Sequence, residues 1–202
     1  MSGTMLDQEL LHLKTAFSAG LTLNFLSDHK FWLIVGVLSV PHWLYAYLWL
    51  RPEDIKAALG GGKSHPVYKF AYIAWVIKII QLTSLAIWYM AVGVPSVSTF
   101  GYVQLAVGFA LFAFGQFLNM SMVKAIGVKG VYYGTRLGLN IPWCTDFPFN
   151  VFDHPQYIGS VLSYWGMFLM PMTATHAQQG LVALFAVPPL FYSISGYIES
   201  QP

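Results

Sequence analysis

The residues best suited to chemistry lie in one stretch, Ala113–Ser160, where glycine and proline recur too often for one long regular helix. The stretch ends in Asp153-His154-Pro-Gln-Tyr157, directly before an apolar segment. Its glycines can present backbone N–H groups to a carboxylate or a phosphate. They are Gly127, Gly130, Gly134 and Gly138. A flexible loop between membrane helices is the competing interpretation.

The composition indicates a membrane protein. The chain has 202 residues, of which 56% are hydrophobic and only 9% are charged, whereas a soluble domain carries about 25% charged residues. So few charges cannot cover a surface that faces water, and most of the protein is expected to face lipid. The aromatic content of 17%, with seven Trp and twelve Tyr, is typical of belts at the membrane interfaces.

The sequence argues against several classes of site. The ten Lys and Arg residues are scattered, so the sequence predicts no nucleic-acid partner. The six His residues do not cluster at metal-ligand spacing, so no metal site is predicted. Cys144 is the single cysteine, which excludes a disulfide within the chain.

Apolar segments predict an all-α, polytopic membrane helix bundle over residues 31–202, as a single domain. Three segments are long enough to span a bilayer, and two shorter ones are expected to form a C-terminal helical hairpin, giving four or five membrane segments. The three spans are Phe31–Leu50, Phe70–Val92 and Phe100–Met122. The hairpin consists of Gly159–Met170 and Leu181–Tyr197.

Residues 1–30 form a separate N-terminal segment in this interpretation. Leucine and phenylalanine recur at helical spacing from Leu6 to Leu21. The pattern predicts a partly amphipathic helix, lying at the membrane interface or packed on the bundle. Because no basic start precedes a clean apolar run, the segment is not read as a signal peptide.

Three polar features interrupt the apolar spans. Pro41 removes a backbone donor, so a neighbouring helix must satisfy the carbonyl that it frees. His42 is expected to be a structural histidine with a hydrogen-bond partner. Lys78 lies close to Gln81 in the second span, and its ammonium is expected to face protein or to extend toward the interface.

The charges of the connections predict the topology. Residues 51–69 and 123–158 are interpreted as long loops that both carry basic residues, whereas the turn at 93–99 has no charge. The positive-inside rule places the two basic loops in the cytosol. The final hairpin then brings Glu199 to the same side.

Three motifs resemble those of the small phospholipid N-methyltransferases, integral membrane enzymes that methylate phosphatidylethanolamine derivatives. They are VGFALFAFGQF at residues 107–117, IGVKGVYYGTRLG at 126–138 and FPFNVFDHPQYIGS at 147–160. The G-x-G of that family corresponds to Ala113-Phe114-Gly115. His154 stands where the family has Asn, and Glu199 is retained from a C-terminal Glu-Glu element.

The resemblance implies S-adenosylmethionine as methyl donor and a phospholipid amine as acceptor, in the endoplasmic reticulum membrane with the site facing the cytosol. The implied donor contacts are Ala113, Phe114, Gly115, Gly127, Gly130, Gly134 and Glu199. Tyr157 and Trp143 are candidates to hold a methylammonium by cation–π contact. Lys129 and Arg136 are candidates to contact the lipid phosphate.

Methylation requires that the lipid ammonium first lose a proton, because an ammonium has no lone pair. The candidate bases are His154, Asp153 and Tyr132, or a water molecule that they order. Asp153 has a competing role as the cap of the helix that follows it.

Two other functions are compatible with the sequence. One is a related membrane methyltransferase that acts on an isoprenylated cysteine carboxylate or another lipophilic acceptor. The other is a membrane scaffold or small transporter without enzymatic activity. Binding of S-adenosylmethionine to the purified protein separates the scaffold from the enzymes.

Overall fold

A computed structural model describes residues 4–96 and 99–201, and all the regular secondary structure in these ranges is helical. The helices are α1 (Met5–Ala19), α2 (His29–Leu50), α3 (Pro52–Leu59), α4 (Pro66–Val92), α5 (Tyr102–Val131), α6 (Pro155–Leu169), α7 (Ala174–His176), α8 (Val182–Leu184) and α9 (Val187–Glu199). A 3-10 turn at Leu23–Ser27 precedes α2, and a π-helical turn at Ala177–Leu181 joins α7 to α8.

The prediction of an all-α membrane bundle is confirmed. Four helical segments are long and apolar enough to cross a bilayer, namely α2, α4, α5 and the interrupted helix Ala174–Glu199. Helix α6 is shorter, packs against both α5 and α9, and forms the first arm of the predicted C-terminal hairpin. Helix α2 lies between α4 and α9.

Two of the predicted loop boundaries were wrong. The 51–69 connection contains α3, which starts with Pro52 and has Glu53 and Asp54 in its first turn, all helix-start signals. Helical structure continues past Met122 to Val131, but a kink at Gly127 divides it into two helices. The backbone leaves helical geometry there only at Gly127, with φ of 66°.

Glycines bring α5 and α6 into close backbone contact at two levels. A Cβ atom at Gly115 would lie 2.5 Å from the Gly159 carbonyl oxygen, and one at Gly166 would lie 2.5 Å from the Gly108 carbonyl oxygen. The two glycines of each helix are seven residues apart, so they lie on one face. Small residues at such positions allow membrane helices to approach closely.

Helix α1 packs on the bundle, in line with one of its two predicted arrangements. Thr4 and Asp7 form a reciprocal capping box at its start. The Glu9 carboxylate accepts hydrogen bonds from the first backbone N–H groups of α5, from Tyr102 at 3.1 Å and Val103 at 2.8 Å. Helix α1 therefore supplies the cap of α5.

The carbonyl freed by Pro41 has a partner, as predicted. The Gln81 side-chain amide on α4 donates to the Val37 carbonyl at 3.3 Å and to the Leu38 carbonyl at 3.0 Å. Val37 is four residues before Pro41, which is the position that a proline leaves without its helical donor. Gln81 thereby joins α4 to the kinked turn of α2.

The other two polar residues of the spans also face protein. The Lys78 ammonium donates to the Tyr164 hydroxyl on α6 at 3.0 Å, and that hydroxyl donates to Gln81 at 3.2 Å. His42 is hydrogen-bonded through Nδ1 to the Ser195 hydroxyl on α9 at 3.0 Å. Both predictions are confirmed, and these contacts tie α2, α4, α6 and α9 together.

One end of the bundle holds most of the positive charge. We call it the basic end; it comprises the end of α2, α3, the start of α4, the 132–154 connection and the end of α9. Of the ten Lys and Arg residues, those at or near the basic end are Arg51, Lys56, Lys63, Lys69, Lys124, Lys129 and Arg136. The predicted 93–99 turn lies at the opposite end, and its residues 97 and 98 are outside the described residues.

We expect the cost of removing Gln81 to depend on Pro41. Gln81→Leu should lower the free energy of unfolding by about 1–3 kcal/mol, because it leaves buried carbonyls unpaired. In a Pro41→Ala background the new backbone N–H can donate to the Val37 carbonyl, so the cost should shrink. Thermal unfolding in detergent micelles measures this double-mutant cycle, which consists of the wild type, the two single variants and the double variant.

Gln104→Leu is the matched control, because the Gln104 amide donates to the carbonyls of Leu169, Met170 and Met172 at the end of α6. Gln104→Leu should lower the free energy of unfolding by the same amount with Pro41 and with Pro41→Ala. Equal costs of Gln81→Leu in the two backgrounds would contradict the pairing between Gln81 and the kink.

Candidate functional site

The Glu199 carboxylate joins three segments at the basic end. Its Oε1 atom accepts a hydrogen bond from the Tyr133 hydroxyl at 2.7 Å and another from the Tyr157 hydroxyl. Tyr133 follows α5, Tyr157 lies in the first turn of α6, and Glu199 is the last residue of α9. Hydrogen bonds to a carboxylate are the stronger kind, so this cluster fixes the ends of the three helices.

The backbone after α5 places Tyr133 in its position. Tyr133 has a φ of 58°, and the next N–H, that of Gly134, donates to the Lys129 carbonyl at 2.8 Å. A left-handed conformation is costly for a bulky residue. The ring packs against aromatic neighbours from α2 and α4, which compensate for this cost: Tyr45, Trp49 and Phe70.

The surroundings keep Tyr133 protonated. Burial, followed by the nearby Tyr157 and Glu199, raises the pKa of the Tyr133 phenol well above its usual range. The hydroxyl therefore remains a hydrogen-bond donor at all physiological pH values.

Arg136 lies at the same end and is held by Trp49. Its Nη2 donates to the Trp49 carbonyl at 2.8 Å, and the guanidinium carbon lies 4.0 Å from the centre of the indole. The Arg136 Nε atom is buried without a hydrogen-bond partner among the described residues.

A cavity of about 650 Å³ lies between α6 and α9 and ends beside this cluster. Its polar end is formed by Asp153, His154 and Tyr157, and the rings of His154 and Tyr157 stack with centres 5.2 Å apart. The remaining lining is mostly apolar: Ile158, Val161, Leu162, Trp165, Pro189, Tyr192, Ser193 and Gly196.

The three predicted bases are in different places. His154 and Asp153 are exposed and line the cavity. His154 is the residue that precedes α6, and among the described residues no side chain caps that helix, so the competing role of Asp153 as a cap is not observed. Tyr132 packs against the cluster that contains Leu48, outside the cavity lining.

The predicted donor contacts on α5 do not form one surface. Ala113 and Phe114 are exposed on the outer face of α5, whereas Gly115 is buried against Gly159 and Ser163 of α6. The structure thus shows a packing role for Gly115. A direct contact between these three residues and a methyl donor stays a prediction.

The predicted anion-binding glycines at the end of α5 have structural roles in the backbone. Gly127 adopts a positive φ, and the Gly134 N–H is already hydrogen-bonded to the Lys129 carbonyl. Gly130 lies in the last turn of α5, where a Cβ atom would lie 2.6 Å from the Ile126 side chain. Anion binding by their N–H groups stays a prediction.

The remaining predicted lipid contacts lie outside the cavity lining. The Trp143 side chain is 90% exposed, as expected for a residue at a membrane interface. The Lys129 ammonium lies 5.9 Å from the centre of the Tyr68 ring. Their contact with a lipid head group stays a prediction.

Sequence reasoning missed several residues of the site. Tyr133 lies beside the chosen Tyr132 in the glycine-containing motif, and Trp49, Tyr192 and Gly196 belong to no motif. Their contacts join parts of the chain that are far apart in sequence, which no local pattern reports. Within the described residues, no group of three or more His, Cys, Asp or Glu could hold a metal ion.

Residues 103–200 match the family model described as phospholipid methyltransferase. The phosphatidyl-N-methylethanolamine N-methyltransferase of Arabidopsis thaliana is 38% identical over 129 residues, 64% of this chain and 72% of the relative. The Saccharomyces cerevisiae protein of the same name is 43% identical over 63 residues, 31% of each chain. The human phosphatidylethanolamine N-methyltransferase is 36% identical over 89 residues, 43% of this chain and 45% of the relative. No solved structure matches the chain.

We expect Gly115 and Ala113 to respond differently to the same substitution. Gly115→Leu should destabilise the bundle, because its Cβ alone would lie 2.5 Å from the Gly159 carbonyl and the Ser163 hydroxyl. Ala113→Leu should leave stability within about 0.5 kcal/mol, because position 113 is exposed. Thermal unfolding in detergent compares the two.

Binding of the donor gives the second readout for this pair. If Ala113→Leu folds normally and loses donor binding, the predicted contact at position 113 is supported. A stable Gly115→Leu protein would contradict the packing role of Gly115.

Proposed function

The chain belongs to the phospholipid methyltransferase family, and we propose that it transfers methyl groups from S-adenosylmethionine to the amine of a phosphatidylethanolamine-type phospholipid. It is thus a membrane enzyme whose successive products lead to phosphatidylcholine. The observation that carries the proposal is the cluster at the basic end, where the fixed Glu199 carboxylate lies beside a cavity with Asp153 and His154 at its mouth.

The residues of this cluster fit the polar groups of the donor. Oε1 of Glu199 is occupied by two tyrosine hydroxyls, while its other oxygen accepts no hydrogen bond from the described residues. That oxygen can accept from the ammonium or the ribose hydroxyls of S-adenosylmethionine. When bound, S-adenosylmethionine supplies an electrophilic methyl group on a sulfonium.

His154 is the proposed proton acceptor. An imidazole can take up and release a proton near neutral pH, and the exposed His154 side chain lines the mouth of the cavity. With its proton on His154, the lipid nitrogen has the free lone pair that methylation needs. Asp153 is proposed to attract the ammonium form before it loses its proton.

Other residues at this end are proposed to hold the lipid head group. The Tyr157 ring lines the cavity near its polar end, stacked on His154, and is proposed to hold the methylammonium of the product. Arg136 is proposed to contact the phosphate, because its half-buried guanidinium has hydrogen-bond donors besides the one that the Trp49 carbonyl occupies. Lys129 and Trp143 are proposed to contribute at the membrane surface.

The charge distribution supports a cytosolic orientation of the site. Loops that are rich in Lys and Arg remain on the cytosolic side of membranes, and the basic end carries most of these residues. A soluble donor made in the cytosol would reach Glu199 directly from that side. We propose the endoplasmic reticulum as the membrane, in line with the family resemblance.

The product of the reaction tests the function. The purified protein in lipid nanodiscs, given tritiated S-adenosylmethionine, should label phosphatidylethanolamine or its monomethyl or dimethyl derivative. Each acceptor is supplied separately, and the labelled lipids are separated by chromatography. Label in a prenylcysteine ester would show the alternative methyltransferase, and absence of donor binding would show a scaffold.

We expect Glu199→Gln to raise the Michaelis constant for the donor about tenfold or more, since loss of a hydrogen bond to a charged group costs about 1.5–3 kcal/mol. Glu53→Gln is the control, because Glu53 is an exposed acid on α3 that pairs with Lys56. Unchanged donor affinity in both Glu199→Gln and Glu199→Ala would refute this role and direct attention to Asp153 and Asp146.

We expect His154→Ala to lower the rate of methylation about 100-fold or more at neutral pH, the usual loss for a general base. Because higher pH increases the fraction of lipid amine without a proton, part of the rate should return as the pH rises. His29→Ala is the control, since its side chain is 88% exposed at the opposite end. A loss of equal size at every pH would rule out proton removal as the role of His154.

A further inference from the structure

We propose that the cavity between α6 and α9, here called the α6/α9 groove, binds one acyl chain of the substrate phospholipid. The chain would enter sideways from the leaflet at the basic end. This inference rests on the proposed function, because it assigns the place where that substrate lies. It adds a lipid-binding surface to the cluster around Glu199.

The two walls of the groove are regular stripes on facing helices. On α6 the lining positions are Ile158, Val161, Leu162 and Trp165, and on α9 they are Pro189, Tyr192, Ser193 and Gly196. Both sets follow the spacing i, i+3, i+4 and i+7, which keeps side chains on one face of a helix. The groove therefore runs along the helix axes instead of across them.

The length of the groove matches one leaflet of a bilayer. From Tyr157 to Trp165 an α-helix rises about 12 Å, because the two residues are eight steps apart, and half of the hydrocarbon core measures about 15 Å. The inner end is closed by Trp165, whose indole N–H donates to the Phe185 carbonyl at 2.7 Å. An acyl chain would thus extend from the basic end to near the middle of the bilayer.

The groove changes from polar to apolar along its length, as a phospholipid does from its head group to its acyl chains. The Asp153 carboxylate at the mouth complements the ammonium of the head group, and apolar side chains follow it. The groove wall also includes Tyr192, which is 9% exposed and packs edge-on against His42 with ring centres 4.6 Å apart. The wall is therefore fixed by the bundle, and the substrate amine is held beside His154.

Filling the inner groove should affect long-chain substrates selectively. Val161→Trp is expected to raise the Michaelis constant for a long-chain phosphatidylethanolamine roughly tenfold, because several methylene groups lose their apolar contact. The Michaelis constant for a short-chain dibutyryl phosphatidylethanolamine should stay unchanged, and so should the affinity for the methyl donor. Val40→Trp is the control, on α2 at a position that is 45% exposed.

Substitutions of increasing size at Gly196 test the mouth of the groove. A Cβ atom there would lie 3.7 Å from the Tyr157 ring and 3.9 Å from His154 Nε2, which are ordinary contacts. The loss of methylation should therefore grow with side-chain size, from a small loss in Gly196→Ala to a complete loss with every acceptor in Gly196→Phe, which fills the mouth. Gly36→Phe is the control, because a Cβ at Gly36 meets no atom within 4 Å.

Photolabelling locates the acyl chain directly. Phosphatidylethanolamine with a diazirine in one acyl chain, in phosphatidylcholine vesicles, should label residues 158–165 and 187–196, and Val161→Trp should prevent it. Label spread evenly over the outer faces of α2, α4 and α5 would contradict acyl-chain binding in the groove. An unchanged Michaelis constant for long-chain phosphatidylethanolamine in Val161→Trp would contradict it as well. If the wild-type protein methylates none of the three acceptors, the proposed function itself fails.

Discussion

The close contact between α5 and α6 is the constraint on which the rest of the structure depends. Backbone meets backbone at Gly108 with Gly166 and at Gly115 with Gly159, so neither helix can shift without a steric clash. Antiparallel helices held this closely fix both ends of the 132–154 connection. In lipid, where association between helices depends on packing more than on the hydrophobic effect, such glycines carry much of the specificity.

The site follows from that fixed connection. Tyr133 follows the end of α5, and Tyr157 lies in the first turn of α6. Their hydroxyls can both donate to Glu199 because the packing of α5 against α6 fixes the distance between the two helices. Hydrogen bonds from Gln81 to α2 and from Lys78 to Tyr164 add α4 to the same assembly. One carboxylate, one imidazole and a groove open to lipid are thereby brought to a single end of the bundle, where a soluble donor and a membrane-bound acceptor can meet.

Much of the fold could be predicted from the sequence, because apolar length and charge patterning report membrane spans directly. Partners within the protein were expected for the kink at Pro41 and for His42, and Lys78 was expected to face protein or to extend toward the interface. All three have protein partners. Helix α3 lies in a charged segment that the sequence predicts as a loop, and helical structure after Met122 continues to Val131 through glycines that predict an irregular backbone. Tyr133 was missed for a different reason: its contact with Glu199 spans 66 residues, and only the packed helices bring the two together.

We propose that the methyl donor binds at the Glu199 cluster of the basic end. Photolabelling with an 8-azido derivative of S-adenosylmethionine tests this claim most directly, with S-adenosylhomocysteine as competitor and peptide mapping as readout. We expect competed label in the segments around Tyr133, Tyr157 and Glu199. Competed label confined to the opposite end, around Glu9 and Tyr102, would contradict it.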